Sequence, residues 1–207
     1  KVVKEFQGEV RFWITLNEPG IYTGHAYFKG VWPPQEQSII GYPAAFYNLI
    51  EAHVRSYARI KAVHPEAQVG IAKNNIYFDA RGGGIISRIV VFFARWWWNA
   101  HFLNQIRRHQ DFIGLNYYFH NRVRGIRFNQ NANEWVSDMG WEIYPEGLYR
   151  VLLELKRYKI PIYITENGVA DARDSHRARF IREHLRWVYK AIQEGVDVRG
   201  YFYWSLL

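Results

Sequence analysis

Ile160-Pro161-Ile162-Tyr163-Ile164-Thr165-Glu166-Asn167-Gly168 is the stretch of the chain from which the fold can be predicted. Four of its first five residues are apolar, which is typical of a strand buried on both faces. The apolar run stops at Glu166, and Asn167-Gly168 is a turn signal. A buried strand can end in a merely solvated carboxylate, or in a catalytic one, as at the strand ends of barrel enzymes. The stretch alone leaves both interpretations open.

A second stretch, far upstream, has the same pattern. Residues 10–16 are rich in β-branched and aromatic side chains, which predicts a strand, and Asn17-Glu18-Pro19-Gly20 follows it. In both places a glutamate next to an asparagine ends a buried strand, so we expect Glu18 and Glu166 to face one cleft. Glycoside hydrolysis needs two such carboxyl groups, one protonated to donate to the leaving oxygen and one ionised.

Between these stretches, strands alternate with helices. Strands are predicted near residues 13, 70, 114, 162 and 201, and helices over residues 43–63, 85–108, 145–158 and 178–194. This alternation predicts an α/β fold built from βα units in a parallel sheet. No linker or shift in composition divides the chain, so we expect one domain over residues 1–207. Residues 20–42 are predicted to form a long functional loop.

The amino-acid composition bears on the ligands and on the cellular compartment of the protein. Of the 207 residues 18% are aromatic, with 9 Trp and 15 Tyr, which suits either a ring-rich core or a cleft in which rings stack on sugars. The chain has no cysteine, which excludes disulfides and cysteine-ligated metals and leads us to expect a cytoplasmic protein.

Charge and hydropathy do not favour nucleic acids or membranes as partners. The net charge is +8, but no nucleic-acid motif accompanies the group Arg122, Arg124 and Arg127, so a solvated basic surface is preferred to nucleic-acid binding. The apolar run at residues 85–98 is too short to span a bilayer and is interrupted by Arg88 and Arg95. A buried helix is preferred there to a membrane-surface role, so no membrane partner is expected.

Several motifs resemble those of glycoside hydrolase family 1, the β-glucosidases and their relatives. The resemblance extends over essentially the whole chain, and the motifs occur in family order. They are Thr15-Leu16-Asn17-Glu18-Pro19, Gly114-Leu115-Asn116-Tyr117-Tyr118, Met139-Gly140-Trp141-Glu142-Ile143-Tyr144-Pro145-Glu146-Gly147-Leu148, Ile164-Thr165-Glu166-Asn167-Gly168 and Gly200-Tyr201-Phe202-Tyr203-Trp204-Ser205-Leu206-Leu207.

The resemblance implies a TIM (β/α)8 barrel and a retaining β-glycosidase that works through a glycosyl-enzyme. Glu18 would be the acid/base, and Glu166 the nucleophile. Five further residues would bind the substrate or support the nucleophile: Asn17 at the sugar 2-hydroxyl, Asn116 at the floor of the site, Tyr118 hydrogen-bonded to Glu166, Trp141 on the aglycone side and Trp204 against the sugar. For Asn116 and Trp141 a purely structural role is left open. No metal or organic cofactor is implied.

Family members are more than twice as long as this chain. The resemblance therefore implies a partial barrel that supplies roughly strands 4 to 8, and a partner in the missing strands, in cis or from another chain. The expected substrate is a β-glycoside whose sugar the sequence does not identify. An inactive or partner-dependent half-barrel that binds carbohydrate is the alternative.

Overall fold

The computed structural model describes residues 1–205, which form two compact units. Unit 1 comprises Lys1–Asn74 and Phe102–Gly114, and unit 2 comprises Asn75–His101 and the chain from Leu115 onward. Leu206 and Leu207, which end the last predicted motif, lie outside the described residues. The expectation of one domain stays a prediction.

Helices and strands alternate along most of the chain, as predicted. Short π-helical segments at Gly24–Phe28 and Arg95–His101 and a 3-10 turn at Lys156–Tyr158 extend three of the helices. In chain order the elements are α1 (Val2–Phe6), β1 (Phe12–Asn17), α2 (Pro19–Thr23), α3 (Gly41–Val63), β2 (Gln68–Asn74), β3 (Tyr77–Asp79), α4 (Gly84–Ala94), α5 (Phe102–Ile106), β4 (Phe112–Asn116), β5 (His120–Arg122), α6 (Pro145–Leu155), β6 (Ile162–Asn167), α7 (Arg177–Gln193) and β7 (Val198–Tyr203).

The longer strands form the sheet. In unit 1, β2 lies between β1 and the first residues of β4, and β1 and β2 are parallel, with Trp13 opposite Val69. In unit 2, β6 lies between the end of β4 and β7, and β6 and β7 are parallel, with Ile164 opposite Tyr201. Parallel strands joined through helices are the predicted α/β arrangement.

Burial follows the position of each strand in the sheet. Every residue of β4 and all but the first of β2 are buried, as expected for strands with a neighbour on each side. The outer strands β1 and β7 leave apolar side chains at the surface, because each has one strand neighbour within the described residues; these include Phe12, Ile14 and Phe202. The sequence pattern of β1 alone does not distinguish it from a central strand.

One local prediction was wrong, and two short strands were missed. The loop predicted over residues 20–42 begins with helical turns, because Pro19 starts α2 and the Thr23 hydroxyl donates to the Pro19 carbonyl at 3.0 Å. The short parallel strands β3 and β5 were not predicted, since three residues each are too few to show an alternation.

The prediction of a buried helix at residues 85–98 was also wrong. On one side of α4, Ser87 and Val91 are buried, but Ile85 and Phe92 on the other side are 75% and 66% exposed. Apolar residues occur all round this helix, so the sequence pattern does not show that only one side is covered.

Candidate active site

The end of β1 places Asn17 and Glu18. Asn17 pairs with Ala72 of β2, and the Glu18 N–H donates to the Ala72 carbonyl at 2.7 Å. The Glu18 backbone is left-handed, at φ 46°, which costs a side-chain-bearing residue about 1–2 kcal/mol. Pro19 disfavours the right-handed helical conformation for the residue before it, so the strand turns sharply at Glu18. The turn fixes the direction in which the half-buried Glu18 side chain leaves the backbone.

Lys73, which the sequence analysis missed, lies near Glu18 in unit 1. Its side chain is 3% exposed, and its ammonium donates to the Asn74 carbonyl at 2.5 Å. Burial lowers the pKa of Lys73 to about 7, and the negative charge of Glu18 opposes this shift. The available signal in the sequence was a lysine inside the predicted strand, directly after its apolar residues 69–72. The group can exchange a proton near neutral pH beside a candidate acid/base.

Glu166 ends β6 in unit 2 and accepts a short hydrogen bond. The Tyr118 hydroxyl donates to Glu166 Oε2 at 2.5 Å, and the Tyr117 N–H donates to the Glu166 carbonyl at 2.9 Å. The first is the hydrogen bond that the family resemblance implies. A bond this short to a carboxylate stabilises the ionised form and holds the group in one orientation.

Buried amides lie beside Glu166 on the same strands. Asn116 is fully buried and accepts from the Thr165 hydroxyl at 2.7 Å. Asn167, which was not assigned a role from the sequence, is also fully buried; it donates to the Tyr117 carbonyl and accepts from the Tyr201 hydroxyl, at 2.7 and 2.8 Å. These bonds lock the residues on either side of Glu166, so the carboxylate is presented by a rigid strand end.

Trp141 and Trp204 both expose an indole ring. Trp141 is 41% exposed and packs on Tyr118 and Phe119, with ring centroids 6.2 and 5.2 Å away. Trp204 is 57% exposed, and its backbone N–H donates to the Asn167 carbonyl at 3.1 Å. An added Cβ on Gly168 would lie 1.8 Å from the Trp204 carbonyl oxygen, so the family Glu-Asn-Gly turn needs its glycine for this close approach.

A third carboxyl group, Glu142, is buried next to Trp141 and was not singled out from the sequence. It accepts from the Asn133 N–H at 3.1 Å, and its other oxygen lies 3.4 Å from Nε2 of the fully buried His120. Burial raises the pKa of Glu142, and burial together with the charge of Arg122 lowers that of His120 to about 4. The contact places the loop that carries Trp141 against β5, although neither His120 Nε2 nor Glu142 Oε2 forms a hydrogen bond among the described residues.

Across residues 1–205, no group of three His, Asp or Glu side chains is arranged to bind a metal ion. Within the same residues, no helix combines the length and the apolar character needed to cross a bilayer.

Parallel strands that alternate with helices, two of which end at a glutamate beside an asparagine, fit the class of (β/α)-barrel glycosidases. Comparison with known proteins identifies one family within this class: the model of the family described as Glycosyl hydrolase family 1 matches residues 1–80 and 98–207. The chain belongs to glycosyl hydrolase family 1.

Named relatives agree. The chain is 34% identical to a β-galactosidase of Sulfolobus acidocaldarius, over 93% of this chain and 46% of that enzyme, and 33% identical to β-glucosidase A of Thermotoga maritima, over 99% and 56%. A β-glycosidase structure from Pyrococcus horikoshii superposes with a TM-score of 0.89 at 34% identity, covering 98% of this chain and 53% of that one. The chain thus spans about half the length of its relatives, and its fold is part of a TIM (β/α)8 barrel.

Proposed function

We propose that this chain carries the catalytic carboxylates of a retaining β-glycosidase. The observation that supports the proposal best is the 2.5 Å hydrogen bond from Tyr118 to Glu166, at the end of a buried strand and within a family motif. A nucleophilic carboxylate must be ionised and held still, and this hydrogen bond favours both conditions.

In the first step, Glu166 attacks the anomeric carbon of a β-glycoside. The bond to the aglycone oxygen breaks, and the protonated carboxyl group of Glu18 gives its proton to that oxygen. In the second step, the Glu18 carboxylate takes a proton from water, whose oxygen displaces Glu166 from the sugar. Two inversions at one carbon retain its configuration. The proposal requires the two carboxyl groups to stand about 5–5.5 Å apart.

The other site residues have supporting roles in this proposal. Asn17 hydrogen-bonds the sugar 2-hydroxyl, an interaction that strengthens in the transition state, and Asn116 lies at the floor of the site. The exposed rings of Trp204 and Trp141 offer stacking surfaces for the sugar and the aglycone respectively. Tyr118 keeps Glu166 ionised.

The proposed substrate is a β-glycoside, and the reaction uses no cofactor. Relatives are about twice as long as this chain, so the remaining barrel strands, in cis or from another chain, are part of the proposal as partners. The cytoplasmic location stays a prediction from the sequence.

The test is hydrolysis of nitrophenyl β-glucoside and β-galactoside by the wild type and by Glu166→Ala and Glu18→Ala variants. We expect each variant to lose at least about a thousandfold in kcat. Added azide should restore turnover in both, yielding the α-glycosyl azide with Glu166→Ala and the β-glycosyl azide with Glu18→Ala, because azide then replaces a different carboxylate in each. Glu66→Ala, at an exposed glutamate, is the matched control and should retain full activity.

The alternative, a carbohydrate-binding half-barrel without activity, predicts a different result. Wild-type protein would then bind glycosides without hydrolysing them, and the two alanine variants would bind equally well. A partner-dependent half-barrel would hydrolyse the substrate only after a polypeptide with the remaining strands is added.

A further inference from the structure

Helix α4 presents an unusual outer side to solvent. Six large apolar side chains on α4 and on the π-helical segment that continues it are between 45% and 75% exposed: Ile85, Ile86, Ile89, Phe92, Phe93 and Trp96. At about 100° per residue the five on α4 cover an arc of about 120° on that helix. Exposed apolar patches of this size mark interaction surfaces.

Packing fixes the direction in which this side faces. The opposite side of α4 carries Val91, which is buried in a cluster with Phe78 and Val123. The Ser87 hydroxyl, also on the inner side, accepts from the Gly125 N–H at 2.7 Å. The apolar outer side is therefore held outward by the inner contacts of the same helix.

A turn bonded to α4 carries a further exposed apolar side chain. The N–H groups of Arg124 and Arg127 each donate to the other's carbonyl at 3.0 Å, and Gly125 adopts φ +58° between them. This turn is joined to α4 through the Gly125–Ser87 hydrogen bond, and Ile126 at its tip is 76% exposed. We call Ile126 and these six side chains of α4 and its continuation the apolar surface.

The segments that carry the apolar surface contain basic but no acidic side chains, and two of their arginines, Arg81 and Arg95, are paired with Asp79 and Glu154 of other segments. Residues 80–98 and 123–128 contain no Asp or Glu, whereas Arg88, Arg124 and Arg127 are exposed. The net charge of the chain is +8. A second copy of the chain would bring like charges together on this surface, whereas an anionic bilayer would neutralise them.

We propose that the apolar surface docks the protein on an anionic lipid bilayer, with α4 lying in the plane of the interface. Phe, Trp and Ile side chains enter the boundary between headgroups and acyl chains, and the arginines contact lipid phosphates. This docking does not depend on the glycosidase proposal. The family match leaves out residues 81–97, which contain all of the apolar surface except Ile126. The proposed docking replaces the expectation from the sequence that the protein has no membrane partner.

The test is co-sedimentation of the purified protein with phosphatidylcholine vesicles, with and without about 30% phosphatidylglycerol. Phe92→Ser combined with Phe93→Ser removes two rings from the surface. The matched control combines Ile39→Ser with Ile40→Ser, because these side chains are 90% and 82% exposed but lie in unit 1. Circular dichroism shows that each variant is folded.

We expect the wild type and the control to bind the anionic vesicles, and the Phe92/Phe93 variant to bind at least about tenfold more weakly. Arg88→Gln should weaken binding at about 0.1 M salt and have little effect at about 0.5 M. The proposal is wrong if the wild type does not bind, or if the double phenylalanine variant binds as well as the control. It is equally wrong if sedimentation without lipid reveals a dimer that the same variant dissociates, because the surface then belongs to a second copy.

Discussion

Lys73 should make the stability of this protein depend on pH in the alkaline range. Its side chain is 3% exposed, and burial lowers its pKa from 10.5 to about 7. Between pH 7 and pH 10.5, Lys73 carries a proton in the unfolded chain but not in the folded chain, so the free energy of unfolding rises with pH. Below pH 7 both states are protonated, and the full cost of the buried charge is present. At about 1.36 kcal/mol per pH unit this cost is about 5 kcal/mol.

Lys73→Met keeps the volume of the side chain and removes the charge. It also removes the donor to the Asn74 carbonyl, at a cost of about 1–3 kcal/mol. We therefore expect the variant to be more stable than the wild type by about 2–4 kcal/mol at pH 6, and less stable by about 1–3 kcal/mol near pH 11.

Urea unfolding followed by tryptophan fluorescence at several pH values measures both curves. Lys29→Met, at an exposed lysine, is the control and should follow the wild-type curve throughout. The difference between wild type and Lys73→Met has to change sign as the pH rises. A constant difference from pH 6 to pH 10 would refute the assignment of a neutral Lys73 in the folded state.

Three further changes test the site and the packing around it. Tyr118→Phe removes the donor to Glu166 Oε2, and we expect kcat/KM for an aryl β-glycoside to fall about 10- to 100-fold. Gly168→Ala forces a Cβ onto the Trp204 carbonyl, which should lower the free energy of unfolding by about 3 kcal/mol in thermal melts. His184 is fully buried with its pKa lowered to about 4, so the unfolded state takes up its proton first as the pH falls from 6.5. The free energy of unfolding of the wild type should fall by up to about 3 kcal/mol between pH 6.5 and pH 4, and that of His184→Gln should fall by less.

Each of these changes has a control. Tyr189→Phe, at an exposed tyrosine, should leave kcat/KM unchanged, and equal losses in the two tyrosine variants would speak against a specific role for Tyr118. Gly8→Ala meets no atom within 4 Å and should melt like the wild type. An unaltered slope of stability against pH in His184→Gln would mean that another group takes up the proton.

The positions of the strands and of most helices could be predicted from the sequence. Strands β4 and β6 are short apolar runs that end in amides or carboxylates, and α3 and α7 are long amphipathic helices with clear ends. Such patterns are local, because each follows from the alternation of apolar and polar residues within one element. The helical turns after Pro19 lie within a Gly- and aromatic-rich segment without such periodicity, so they were predicted as a loop.

Side-chain contacts were harder to predict, because they join residues that are distant in the chain. Tyr118 and Glu166 lie 48 positions apart, and only the family resemblance implied their hydrogen bond. The burial of His120 against Glu142 depends on the path of the loop before α6, which has no periodic pattern. Lys73 is buried because β2 has neighbours on both sides, and the sequence does not specify how many neighbours a strand has.

By itself, the sequence determined the order of strands and helices, the two glutamates at strand ends and the family to which they belong, since motifs and periodicity are properties of short segments. Only the tertiary structure decided which side of α4 faces solvent and what environment surrounds Lys73. Exposure and pKa depend on what the rest of the chain places around a residue, and that is set by packing between distant segments.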